Sequence, residues 1–131
     1  MDDFLFDRSV SQVAEALDWS DRRQKIITSN IANKDTPQYK AVDLDFQRIM
    51  EGIFTGQGMP IEKTNPGHIL PSSGSATPVV NVKTGQQRLD GNTVNLTDEV
   101  AHMVENNLLY QTLGRYLNNQ FKLTKLAISG G

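Results

Sequence analysis

The chain has 131 residues, enough for a single domain, and it balances 13 Lys+Arg against 15 Asp+Glu for a formal net charge of −2. That balance gives no electrostatic reason to expect nucleic acid or an anionic membrane as partner. With no cysteine, disulfides, thiolate nucleophiles and Cys-ligated metals are excluded. The amino-terminal "MDDFLFDRSV" is acidic where a cleaved secretory signal needs a basic start and an apolar run. No window approaches the ~18 apolar residues of a membrane span.

The first element is a helix expected over residues 9–32. Val10, Val13, Leu17, Ile27 and Ile31 recur at threes and fours or their sums, and Ser9-Val10-Ser11-Gln12 reads as a capping box at its start. The stripe is interrupted where Ser20 and Gln24 hold positions that should be apolar. Asp21, Arg22, Arg23 and Lys25 form a charge cluster that reads as a solvated face.

Residues 33–95 are expected to form a corner, a short helix and a loop region. Pro37 drives Thr36 out of the helical region, so the first helix must end before it. Asn33 is the best residue after glycine for a left-handed cap there. Ser29, Asn30 and Thr36 can bond the freed backbone groups, and Tyr39 can pack its ring back with its hydroxyl on a polar partner. Next, Phe46, Ile49, Met50 and Ile53 keep helical spacing, with Asp43 or Asp45 as cap. From Gly52 to Asn95 lies most of the glycine and proline, in turn-forming runs such as "TNPGHILPSSGS". Within it "TPVVNVK" and "QQRLD" are strand candidates either side of Thr84-Gly85, which would make a small β-hairpin.

The last element is a helix expected over residues 96–128. Leu96, Val100, Met103, Asn107, Tyr110, Gly114, Leu117, Phe121, Thr124 and Ile128 step by four and three, a heptad seam with departures at Asn107, Gly114 and Thr124. Asn95 or Thr97 can cap it, Asp98 and Glu99 suit its first turn, and Lys122 and Lys125 suit its end. At the standard rise such a helix is ~50 Å long, against ~36 Å for a compact globule of this length. The expectation is therefore a mainly α, elongated molecule. Its terminal helices pair antiparallel in a coiled-coil-like unit, and their surplus apolar surface meets other chains.

No catalytic constellation emerges. Asp43 and Asp45 read as helix-cap acids, His68 and His102 do not pair at metal-ligand spacing, and "SSGS" at 72–75 lacks the strand-turn-helix context of a nucleophile elbow. A hydrolase built on His68 with Asp43 or Asp45 is the weakest reading, and no cofactor or metal is expected. The other non-enzymatic reading is a soluble helical adaptor or secretion chaperone that saturates on one partner.

Ser29-Asn30-Ile31-Ala32-Asn33 with Thr36-Pro37 and Tyr39 resembles the signature that follows the amino-terminal helix in the bacterial flagellar axial proteins, the rod and hook subunits. "TPQYKAVDLDF", "LDGNTVNL" and "YQTLGRYLNNQF" extend the resemblance towards the proximal rod; Gln38 departs from it, standing where that family commonly has glycine. The resemblance implies a non-enzymatic rod subunit of the basal body, exported by the flagellar type III system without signal cleavage. It also implies partners: further copies of the chain, the rod proteins FlgC and FlgF, the adaptor FliE, and the export gate and MS ring.

Overall fold

The computed structural model describes residues 2–56, 80–82 and 85–130. Its order is α1 (Asp2–Ala32), β1 (Val42–Leu44), α2 (Phe46–Thr55), β2 (Val80–Val82) and α3 (Leu96–Ile128). Helices α1 and α3 are the long elements, and cross-links between their side chains fix their direction. Ser9 pairs with Tyr116, Ser20 with Asn106 and Asn30 with Glu99, so one helix descends as the other climbs. The antiparallel pairing of the terminal helices is thus present.

The first helix begins at Asp2 rather than at Ser9. Phe6 continues the apolar stripe one turn ahead of Val10. Ser9 is therefore interior to the helix and caps nothing; its Oγ lies 2.6 Å from the Tyr116 hydroxyl. At the other end α3 starts at Leu96 as expected, with the Asn95 side chain accepting from the amides of Thr97 and Asp98. The chain leaves α3 through Ser129, whose amide bonds the Lys125 carbonyl, and Gly130 at φ 76°.

The core sits where α2 crosses α1. Ala16, Trp19, Leu44, Ile49 and Ile53 form one buried cluster, with Ile26, Phe46, Met50 and Leu113 packed against it. Trp19 supplies the largest ring there and is 5% exposed; the heptad stripe passes it by, because it points to α2 rather than α3. Gln12 donates to the Ile53 carbonyl at 3.0 Å, tying off the open end of α2. The other end of α2 is capped by position alone. Asp45 is the N-cap residue, but its side chain makes no cap bond, and Asp43 is committed elsewhere.

That commitment corrects the reading of Arg23 as part of a solvated face. Arg22 and Lys25 do pair on the exposed surface with Asp18 and Asp21. Arg23 instead turns inward, both its Nε and Nη2 lying 3.3 Å from the Asp43 carboxylate, with its guanidinium over the Phe46 ring.

The hairpin across Thr84-Gly85 does not form. Val80–Val82 pairs antiparallel with Val42–Leu44, in the register Val42 to Val82, Asp43 to Asn81 and Leu44 to Val80. Residues 86–88 are not strand; they run past the end of α1, where the Arg88 guanidinium bonds the Lys34 carbonyl. Strand β1 offers the free edge that the sequence pattern could not reveal. The runs at 64–75, His68 and Thr84 lie outside the described residues.

Replacing Trp19 with alanine would empty the centre of this cluster. We expect a loss of about 3–5 kcal/mol, measured as the shift in urea unfolding free energy. In a domain whose total stability is about 5–15 kcal/mol, that is a large part of the whole.

Candidate assembly interface

The signature residues fall at the end of α1, and their placement follows from what a helix end lacks. The last four carbonyls of a helix have no partner in the helix. Here the Asn33 amide reaches back to Ser29 and Asn30, and its side-chain Nδ2 bonds the Ser29 carbonyl at 2.8 Å. Thr36 Oγ1 then donates to Asn33 Oδ1 at 3.1 Å. The carbonyls of Asn33, Lys34 and Thr36 all converge on one donor, the Asn92 Nδ2, at 2.9, 3.1 and 2.8 Å. Asn92 is fully buried, and its Oδ1 accepts from the Val94 amide at 2.7 Å. A side chain 59 residues downstream of Asn33 thus ties down the turn that follows the first helix.

The left-handed residue of this corner is Gln38, at φ 61°, and not Asn33. Asn33 has no need of that conformation, because its own side chain and Asn92 already satisfy the carbonyls. Gln38 has, because its amide must turn to the Asp90 carbonyl, which it meets at 2.8 Å. A second left-handed residue, Gly91 at φ 81°, faces it, and a Cβ on Gly91 would stand 3.2 Å from Gln38 Cα. Lys40 Nζ closes the contact on the Gly91 carbonyl at 2.6 Å. The departure from glycine at position 38 therefore falls where the backbone most favours glycine.

Asn30 joins the corner to the rest of the subunit. It is fully buried. Its Nδ2 donates to the Val42 carbonyl at 2.7 Å and to Glu99 Oε2 at 3.2 Å, while its Oδ1 accepts from the Val42 amide and the Tyr39 hydroxyl. Every hydrogen-bonding capacity of the carboxamide is used. Tyr39 has the polar partner its sequence position suggested. Of the other signature residues, Ile31 is half-buried and Ser29, Ala32, Thr36 and Pro37 are exposed.

The seam residues divide. On α1, Val13 and Ile27 are buried, and Val10, Leu17 and Ile31 half-buried. On α3 the groups turned inward are Glu99, 1% exposed, and Asn106, 2% exposed, whereas Val100 is 42%, Tyr110 47% and Phe121 55% exposed. Leu96 and Ile128 are exposed as well, and Met103 and Leu117 are half-buried. The two positions that weaken the α1 stripe explain this. Ser20 Oγ donates to Asn106 Oδ1 at 3.0 Å, and Asn106 Nδ2 bonds the Ser20 carbonyl and Gln24 Oε1 at 2.9 and 3.0 Å. The interruptions in one helix meet a polar partner in the other, and the apolar seam of α3 is left facing outward. Val104, Leu108, Leu123 and Leu126 add further exposed apolar side chains to the same helix.

Two acids considered for chemistry are otherwise engaged: Asp43 with Arg23, and Asp45 at the start of α2. His102 is half-buried on α3. Among the described residues no three His, Asp or Glu side chains cluster to hold a metal ion, and no helix is long and apolar enough to cross a membrane.

Long paired helices, a pinned corner and an apolar outer side on α3 define a mainly α protein built on its two terminal helices. Comparison with known proteins specifies which. Residues 14–40 match the family model described as flagella basal body rod protein. The chain is 30% identical over 128 residues to the flagellar basal body rod protein FlgB of Bacillus subtilis, covering 97% of this chain and 98% of that one. It is 38% identical over 116 residues to FlgB of Yersinia enterocolitica, covering 82% and 84%. With FlgB of Salmonella typhimurium it shares 35% identity over 126 residues, covering 89% and 90%. The chain belongs to the FlgB family of flagellar basal body rod proteins.

Two substitutions probe the corner. Gln38→Gly should raise stability by about 1 kcal/mol, the cost of holding a side chain in left-handed backbone, and Gly91→Ala should lower it by at least as much; thermal unfolding measures both. Asn30→Asp should lower stability in a pH-dependent way. It removes the amide donors and sets a second carboxyl beside Glu99 Oε2, at the place where Nδ2 now lies 3.2 Å away. The new carboxyl is held protonated in the folded state, its pKa above the unfolded value of ~4. The loss is therefore full above the folded pKa and shrinks as pH falls towards the unfolded one, in unfolding curves taken from pH 8 to pH 4.

Proposed function

We propose that this chain is a structural subunit of the proximal rod, the part of the flagellar axle that joins the MS ring and export apparatus to the distal rod. Membership of the family places it among the rod components of the basal body. The finer reading rests on one observation: α3 turns its polar residues to α1 and its apolar seam to solvent. A monomer gains nothing from that arrangement, since exposed Leu96, Val100, Tyr110 and Phe121 forgo roughly 25 cal/mol per Å² of burial. A subunit that meets neighbours along its length regains it. Interfaces of this heterologous kind repeat along an axis instead of closing on one partner.

On this reading the neighbours are further copies of the chain together with FlgC, FlgF and FliE, at the export gate and MS ring. Entry into the periplasmic rod is through the type III apparatus, without a cleaved signal. The exposed corner residues Thr36 and Pro37 belong to the contact surface, together with the exposed start of the seam at Leu96.

Glutamates at Val100 and Phe121 test the proposal. Both sites are exposed, so the purified double variant should keep the helical circular dichroism of the parent. Cells carrying it in place of the native chain should lose motility and assemble no rods. Motile cells with normal basal bodies would overturn the reading.

A further inference from the structure

The polar residues between α1 and α3 have a role that stability alone does not require. We propose that Ser20, Asn106 and Glu99 fix how far α3 is rolled about its own axis, and thereby keep its apolar seam from closing on α1 of the same chain.

The two faces of α3 are adjacent. Glu99 and Asn106 point to α1, while Val100 and Asn107 follow them in sequence and lie about 100° further round the helix. A roll of about a quarter turn would exchange the faces. It would bring Leu96, Val100, Met103, Tyr110, Leu117 and Phe121 against the α1 stripe of Val13, Leu17, Ile27 and Ile31. Exposed apolar area drives towards the rolled pairing, because Val100, Tyr110 and Phe121 are 42%, 47% and 55% exposed in the observed one, although Leu113 would give up its contact with the core cluster. What opposes it is the hydrogen bonding of the observed pairing. Rolling would strip Ser20 of Asn106 and Asn30 of Glu99, now 3.0 and 3.2 Å apart, while these α1 groups stayed under cover. Leaving a buried polar group unpaired costs more than the bond contributes when made. A buried polar contact that sets register at some expense of stability has the same logic in coiled coils.

The surface that the rod reading assigns to neighbouring subunits is therefore protected by residues buried inside the subunit. The proposal rests on that reading for its biological sense, but not for its structural content.

The chain has no cysteine, so an introduced pair reports unambiguously. The side-chain rung from Ser20 to Asn106 sets a register that places position 13 opposite position 113. Val13→Cys is combined either with Leu113→Cys, which reports the observed roll, or with Gly114→Cys, which reports the rolled state. In the otherwise native chain the 113 pair should close in preference by about tenfold or more, the ratio that roughly 1.4 kcal/mol sets. With Ser20→Ala, Glu99→Ala and Asn106→Ala added, the preference should invert, binding of an apolar fluorescent dye should fall, and rod assembly should fail. Continued preference for the 113 pair in the triple-alanine chain overturns the proposal. So does its failure to fold, since the rolled pairing must be able to hold the helices together. If the cross-link inverts yet rods still assemble, the roll is not what guards the seam, and the proposal fails in that form. The glutamate substitutions at Val100 and Phe121 judge the rod reading separately, whatever the cross-link ratio.

Discussion

The carboxamide of Asn30 is the point on which the subunit depends. An amide offers two donors and two acceptor sites, and in a buried place each must be matched. Here the matches come from three different parts of the chain: both backbone groups of Val42, the Tyr39 hydroxyl and Glu99. Satisfying one side chain thus fixes the path of the corner, the inner edge of β1 and the position of α3 on α1 at once. Because the alternative is an unsatisfied polar group in a dry place, the arrangement is specified far more sharply than apolar contact would manage. Strand β1 can pair with β2 on its remaining edge because Asn30 already holds the first.

Polar specification recurs along the helix pair. The core around Trp19 supplies apolar stabilisation, but it lies on the side of α1 that faces α2. The side that faces α3 relies on Ser20, Gln24, Asn106 and Glu99. The division lets one helix serve two purposes: hydrophobic burial binds the short helix and strand, with Leu113 of α3 reaching the same cluster, and hydrogen bonds orient the long helix. It also leaves the subunit with an apolar exterior on α3, which for a monomer would invite association.

Much of this was legible in the sequence, and the limits have physical causes. The bounds of α3 and the end of α1 followed from Asn95 and Pro37, since capping and the restriction before proline act locally. The start of α1 was missed because Ser9 has the chemistry of a cap, and sequence cannot say that its hydroxyl is claimed by Tyr116 from the other helix. The left-handed residue was misplaced for a similar reason. Asn33 is the better left-handed residue by propensity, but a side chain from position 92 makes that conformation unnecessary and a carbonyl from position 90 requires it at Gln38. The seam traced on α3 runs mostly along its outer side, while the face turned to α1 mixes Leu113 with the buried Glu99 and Asn106 and so gives no clean apolar stripe. Ser20 and Gln24 looked like flaws in a stripe; they are half of a match whose other half sits 86 residues away. The hairpin failed because pairing across a long connection leaves no turn to read.

Those long separations bear on the order in which the subunit can form. Contacts spanning 58, 69 and 86 residues hold the corner and the helix pair together, and closing such long loops is slow relative to helix growth. A chain emerging from the ribosome amino end first has α1 complete by Ala32. It has nothing to hold the following turn until Asn92 is out, and nothing to seat Ser20 against until Asn106 follows. Until β2 emerges at Val80–Val82 the polypeptide thus carries a strand without a mate, and until Asn92 an untied corner. The decision to fold rests with the last third of the sequence.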